Sequence, residues 1–406
     1  GVSGATSLDE RQNIHLPGAQ DVTIQHNIIM ASAASDGVKL VSGVGVSPTA
    51  AQQVRITQNQ FGSNRGQAIN LVPDGINSNN GACNETGQQN LGVDYPVITL
   101  AEINGNTLNV SGFTCTGVAG TVEIYKVAAG SGQGETQNSE IYGEGGVYLG
   151  SFAVNGVFSA QTLTGINNLV GGETVTALFI DSNGNTSEFS KNADVYTPVT
   201  LTATPAVTEG QSGRITATVN IVSLHPITVT LLYTNVTASN GDYSAQTKLT
   251  IPANTLQASI PFAVTDDATV EDDETVQVNV AAVQNATNRA TAQTITLLDN
   301  DFTNVTLAAS PTLVEGTDGV ITATLSTTSV RNINLTFVYT NVTTTNSDFS
   351  AATTLVVPAG QRKATLPFSA LADTTVEVTE TLKVAIASAQ GANNISTAQL
   401  ITILND

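Results

Sequence analysis

The sequence predicts an all-β chain made of several units in a row, and three observations predict it. The composition is that of strands and corners: Val and Thr are abundant, Gly reaches 35 and Pro 12, Trp is absent and Met occurs once. Branched side chains suit a pleated surface, and Gly, Asn and Ser suit its turns. Two stretches of the C-terminal half repeat with a constant shift of 106 residues. Short apolar triplets near the start recur every 24 to 32 residues. At 406 residues the chain is too long for one ordinary core, and a prior of roughly 100 to 200 residues per domain gives three or four units. We expect stacked coils over 1–80, a linker and sandwich module over 81–198, and two tandem sandwiches over 199–301 and 302–406.

In the first unit, Ile14-His15-Leu16, Val38-Lys39-Leu40 and Ile69-Asn70-Leu71 share one pattern, while VTIQHNII from Val22 and VRITQNQF from Val54 share another. These steps are coil lengths of a parallel β-helix, with Val, Ile and Leu stacking inward and Asn27 and Asn59 forming a hydrogen-bonded ladder at equivalent corners. The segment resembles the last turns of the right-handed parallel β-helix of bacterial surface proteins and polysaccharide lyases. That resemblance makes this the one place to look for catalysis. Asp9, Glu10, Asp21, Asp36 and Asp74, with His15, His26 and Lys39, form no paired-carboxylate motif, and the two histidines are expected to face outward.

The polar run PDGINSNNGACNETGQQNLGVDYP should bridge two folds. After it, PVITLAEI, TLNVSGFT, GTVEIYKV, VYLGSFAV, VFSAQTL and ETVTALFID read as strands of an Ig-like sandwich. The order of these pieces, ending in TVTALFIDSNGNTSEFS, resembles a module that terminates β-helices in large bacterial secreted proteins. DSNGNTSE has the alternating oxygens of a calcium loop but not its full spacing, and reads better as a hairpin turn at Asn183-Gly184-Asn185. Cys83 and Cys115 are too few for a disulfide framework; they either pair with each other or stand as two thiols.

In the repeats, TEGQSGRITATVN from Thr208 returns as VEGTDGVITATLS from Val314, and LLYTNVTASNGDYSA from Leu231 as FVYTNVTTTNSDFSA from Phe337. Each copy should be a sandwich of about seven strands. The ten carboxylates of the first copy fall in four short places: Glu209; Asp242; Asp266 to Glu274; and Asp299 with Asp301. Like charges so clustered repel unless a cation neutralises them, and oxygens drawn from several loops are what Ca²⁺ requires. The opening TEG, NGDY, DDATVEDDET and the closing LLDND resemble the Calx-beta family, over both copies. The resemblance implies an immunoglobulin-like sandwich with calcium held at one end by Glu209, Asp242, Asp266, Asp267, Glu271, Glu274, Asp299 and Asp301. In the second copy it implies Glu315, Asp348, Asp373, Glu377, Glu380 and Asp406. Ala372, Val378, Thr379 and Asn405 stand there in place of Asp266, Asp272, Asp273 and Asp299, so the second copy should bind more weakly.

A formal charge of −20 excludes a nucleic-acid partner and opposes anionic membranes. No apolar run approaches the ~20 residues of a membrane span, and the first residues lack a signal pattern. We expect an excerpt of a longer, exported polypeptide found outside the cell or on its surface. Its partners would be the other domains of that polypeptide, further copies in an oligomer or filament, and a surface glycan or protein receptor on another cell. The leading function is structural and adhesive, without catalysis. The alternatives are the accessory tail of a β-helix lyase or hydrolase, and a carbohydrate-binding module, for which eight Tyr, eleven Phe and no Trp are a thin supply.

Overall fold

The computed structural model describes residues 13–30, 36–43, 49–81, 83–128 and 135–405, and the regular elements among those residues are all strands apart from one 3₁₀ turn at Gln89–Gly92. In the first unit the chain stacks on itself in parallel. Ile14–Pro17, Val38–Val41 and Ile69–Leu71 form one ladder with Ile14 opposite Val38 and Val38 opposite Ile69. Gln20–Gln25 pairs with Gln52–Thr57, and Ile28–Met30 with Gln60–Gly62, both in parallel and 32 residues apart. Because every coil repeats the inward apolar positions, Ile24 meets Ile56 and Ile29 meets Phe61 in one core. Asn59 is fully buried; its Oδ1 accepts the Asn27 amide at 2.9 Å and Asn27 Nδ2 at 3.1 Å, and its Nδ2 donates to Ile24 O at 2.8 Å.

The middle unit departs from an Ig-like pair of separate sheets. Its strands form one seven-stranded sheet in the order Gly145–Asn155, Ala119–Val127, Thr174–Asp181, Ala193–Tyr196, Val97–Asn104, Thr107–Phe113, Val157–Thr164. The short strand Ala193–Tyr196 joins the halves, pairing antiparallel with Thr174–Asp181 and parallel with Val97–Asn104. Thr174–Asp181 is buried on both faces: Val175, Ala177 and Phe179 enter this unit's core, while Leu178 and Ile180 enter the core of the coils. Cys83 and Cys115 are joined in a disulfide, with Cα atoms 5.9 Å apart.

The parallel ladders meet this unit through side chains. An open ladder exposes amides that have no next coil to pair with, and each buried one needs an acceptor. Gln89 Oε1 takes the amide of Ala51, Asn185 Oδ1 that of Gln53, Asn90 Oδ1 that of Val54 and Thr186 Oγ1 that of Ile56, at 2.7 to 3.0 Å. Glu188 takes the amides of Leu71 at 3.0 Å and Asn77 at 2.9 Å. The stretch between the folds is therefore pinned to the coil and is not a free bridge.

Each repeat copy is a pair of five-stranded sheets, ten strands where the sequence suggested seven. The excess comes from edge strands of two to four residues, such as Ala206–Thr208, Tyr243–Ala245 and Thr287–Asn288, too short for a visible alternation. In the long strands alternation sets the core: Ile215, Ala217 and Val219 of one sheet face Val229, Leu231, Val276 and Val278 of the other. The second copy repeats this with Ile321, Ala323 and Leu325 against Leu335, Phe337, Leu382 and Val384.

Candidate metal centre

Turns at one end of each sandwich carry the acids. Glu209 precedes Gly210, whose φ of +73° makes the tight turn that a side chain would strain; Gly316 after Glu315 has the same φ. This turn brings Glu209 against the end of the closing strand, its amide bonded to Leu298 O at 3.1 Å. The chain then leaves through Asp299 and Asp301. One carboxylate oxygen from each of Glu209, Asp299 and Asp301 lies within 4.8 Å of the others. Beside them, Glu274 shares a hydrogen bond with Asp242, which also accepts Ser239 Oγ at 2.8 Å. Asp266 and Asp267 are exposed at the rim, Asp266 accepting Asn300 Nδ2 at 2.9 Å and Asp267 the amide of Thr269 at 2.6 Å.

The crowding is visible in the acids' protonation. Burial, then Asp299, Asp267, Asp301 and Glu271, push Glu209 up to about 7. Burial, then the hydrogen bond and charge of Asp242, push Glu274 up to about 7. Glu271 and Asp301 are raised by burial and by neighbouring carboxylates. Burial opposes ionisation of Asp242 too, but bonds from Glu274 and Ser239 outweigh it and hold that group low.

These residues fit a calcium ion. Glu209 Oε2 and Asp301 Oδ2 are shielded from solvent and accept no hydrogen bond, a costly state for carboxylate oxygens that a cation relieves. All donors are hard oxygens, as Ca²⁺ prefers. Glu209, Asp299 and Asp301 would form one part of the site, and Asp242, Glu271 and Glu274 the other.

In the second copy, Asp348, Glu377 and Glu380 come within the same 4.8 Å. Glu380 Oε2 accepts no hydrogen bond, and burial followed by Asp348 pushes Glu380 up to about 7. Glu315 is buried nearby, Asp373 is exposed, and Asn405 Oδ1 accepts the Glu377 amide at 2.6 Å. Asp406 lies outside the described residues.

Arg331 was not foreseen from the sequence. It reaches from the second copy to the first copy's acids, its Nη2 donating to Asp299, whose side chain is 3% exposed, while Nε lies 3.3 Å from Asp272. The shift of 106 pairs it with His225, so the repeat carries no signal for it.

On the coils, Lys39 Nζ sits 3.7 Å from Asp36 and 2.5 Å from Asp74, an ion-paired set in an open cleft. His26 is exposed and bonds Gln58 Oε1 at 2.6 Å; His15 is half-buried. Asp9 and Glu10 lie outside the described residues. In DSNGNTSE, Asp181 Oδ1 accepts the amides of Asn183 and Asn185 at 2.9 and 2.8 Å. This closes a turn whose later side chains serve the coil.

No family model matches the chain. Among solved structures it is similar to the crystal structure of CBD12 from CALX1.2, at 12% identity over 50% of this chain and 99% of that one, with a TM-score of 0.26. It is also similar to the calcium binding domain CBD12 of CALX1.1, at 12% identity over 51% and 99% with a TM-score of 0.27. A third is the apo-form Calx CBD1 domain, at 18% identity over 25% and 98% with a TM-score of 0.22. Likeness at this level carries no argument about this chain. Among the described residues no helix is long and apolar enough to cross a membrane.

Proposed function

We propose that this chain is a non-catalytic, calcium-stiffened spacer of a secreted bacterial surface protein, serving attachment. In this reading the first unit is the end of a right-handed parallel β-helix, the middle unit the module that terminates it, and the repeats Calx-beta domains. The observation that carries it is the meeting of Glu209, Asp299 and Asp301 at the seam where Arg331 of the second copy also arrives. A cation there neutralises the acids of one domain at the point where the next is held. When bound, calcium supplies that positive charge and fixes the loops around it. Glu209 and Asp301 contribute their unbonded oxygens, and Asp299 joins the cluster to Arg331. The disulfide Cys83–Cys115 supports an oxidising compartment.

Calorimetric titration of the whole chain with Ca²⁺ tests the reading. We expect heat of binding, with Asp299→Asn plus Asp301→Asn weakening the tighter phase by about tenfold or more and Glu377→Gln plus Glu380→Gln removing the weaker one. A chain that takes up no calcium would sink it.

A further inference from the structure

We propose that the end of the second sandwich around Val376 is a socket for a further domain of the same repeat type, joined in tandem and held by a Ser-apolar-uncharged loop. The chain already couples its units with one kind of loop, used twice. In the first copy, Ser223-Leu224-His225 lies parallel to Gly171 of the middle unit, with the Leu224 amide donating to Gly171 O at 2.8 Å. In the second, Ser329-Val330-Arg331 lies parallel to Val270 of the first copy, with the Val330 amide donating to Val270 O at 3.1 Å. Both loops are shaped alike from within. Ser223 Oγ accepts the His225 amide at 3.1 Å and Ser329 Oγ the Arg331 amide at 3.0 Å. The Asn254 amide closes on Ser223 O and the Gly360 amide on Ser329 O, each at 2.8 Å. A preformed edge that fits two receptors of different sequence acts as a general coupler.

The shift of 106 carries Val270 onto Val376. Val270 is 2% exposed under its loop, whereas Val376 is 92% exposed and Val378 82%. Exposed valines at the position that the first copy keeps covered mark an interaction surface. The occupied copy of the same surface names the occupant. It is a domain supplied in tandem and not a second molecule of this chain, because both of the chain's own coupling loops are engaged.

The receptor also sets the third residue of the loop. Arg331 meets Asp272 and Asp299 in ion pairs, whereas His225 packs on Gly172 in a hollow that Asp194 also lines, without an ion pair. Val378 and Asn405 stand where Asp272 and Asp299 would be, so an arginine there would lack those two carboxylates. The inference rests on the reading of the chain as a jointed array and does not require calcium.

The test places a cysteine in the socket, Val376→Cys, in the present chain and in one extended by a second copy of 302–406 carrying the change equivalent to Arg331→Leu. The native cysteines are paired, so maleimide reports the new thiol alone. We expect labelling about tenfold slower in the extended chain, in chelator as in calcium, matching Val270→Cys in either chain. Equal labelling of Val376→Cys in both chains, with Val270→Cys protected, overturns the socket. Equal protection by an added copy that keeps its arginine overturns the preference for an uncharged residue. Protection only in calcium overturns the metal-independent coupling. Calcium titration of the same proteins reads the metal function separately, so chains that bind calcium yet fail to protect Val376→Cys contradict the socket alone.

Discussion

Glu209 and Glu274 are pushed up to about 7, because burial and neighbouring carboxylates disfavour their charge. The folded pKa of each lies above the ordinary 4.5, so the folded state binds protons more tightly than the unfolded one. This contribution is fully present below the ordinary value and is lost as pH rises through about 7. Without calcium, the melting temperature should therefore be higher at pH 5 than at pH 8, and Glu209→Gln should reduce the difference. With calcium the order should reverse, because the metal needs the ionised carboxylates. Thermal melts in chelator and in calcium check both signs; a chelated chain more stable at pH 8 would contradict the assignment. The acids themselves were legible in the sequence, since all ten of the first copy fall in four short places. Arg331 was not, since a lone arginine on a loop has no pattern until its neighbours are known.

At the scale of the element, buried asparagines tie the parallel ladders of the first unit together, Asn59 to Ile24 O and Asn64 to Ile29 O. Asn59 is wholly enclosed and satisfies both Asn27 and Ile24 O. Asn59→Leu would leave the Asn27 amide and Ile24 O without their partner, at a cost of about 1–3 kcal/mol, measurable as a lower midpoint in denaturant. An unchanged midpoint would show that another group takes over the ladder. The equivalence of Asn27 and Asn59 could be read from their spacing because stacked coils repeat position for position. The side chains that close the ladder could not. Gln89, Asn90, Asn185 and Thr186 look in sequence like any polar loop residues. Thr174–Asp181 was readable as a strand, but its burial on both faces came only with the fold, which packs the first unit against it.

Across the whole molecule, the two junctions on either side of the first copy share the loop contact but differ in their side-chain links. Toward the middle unit, buried Glu102 bonds Thr287 and lies 3.3 Å from Arg289 Nη2, while Asn220 Nδ2 donates to Asn104 at 2.8 Å. Those links need no metal. Toward the second copy, beside the Val330 amide on Val270 O, the side-chain link is Arg331, which spans to Asp299 and Asp272 at the acidic centre. Arg331→Ala should leave each sandwich's melting nearly unchanged, because its cores are separate. It should loosen the seam between the copies, seen by small-angle scattering as a broader distribution of lengths, most clearly in chelator. Identical scattering from the variant and the parent chain would remove Arg331 from the joint.

What the sequence determined by itself was whatever is written in local order: strand periodicity, the 106-residue repeat, the coil register and the grouping of acids into four short places. Each follows from neighbours a few residues apart or from an unbroken copy. The tertiary structure alone decided which distant groups meet. It joined Cys83 to Cys115 and set Glu209 beside Asp299 and Asp301. It merged the middle strands into one sheet and brought Arg331 of one domain to the acids of another. The physical reason is that a hydrogen bond, an ion pair or a metal ligand acts over a few ångströms of space, and only the folded chain sets the distance between residues far apart in sequence.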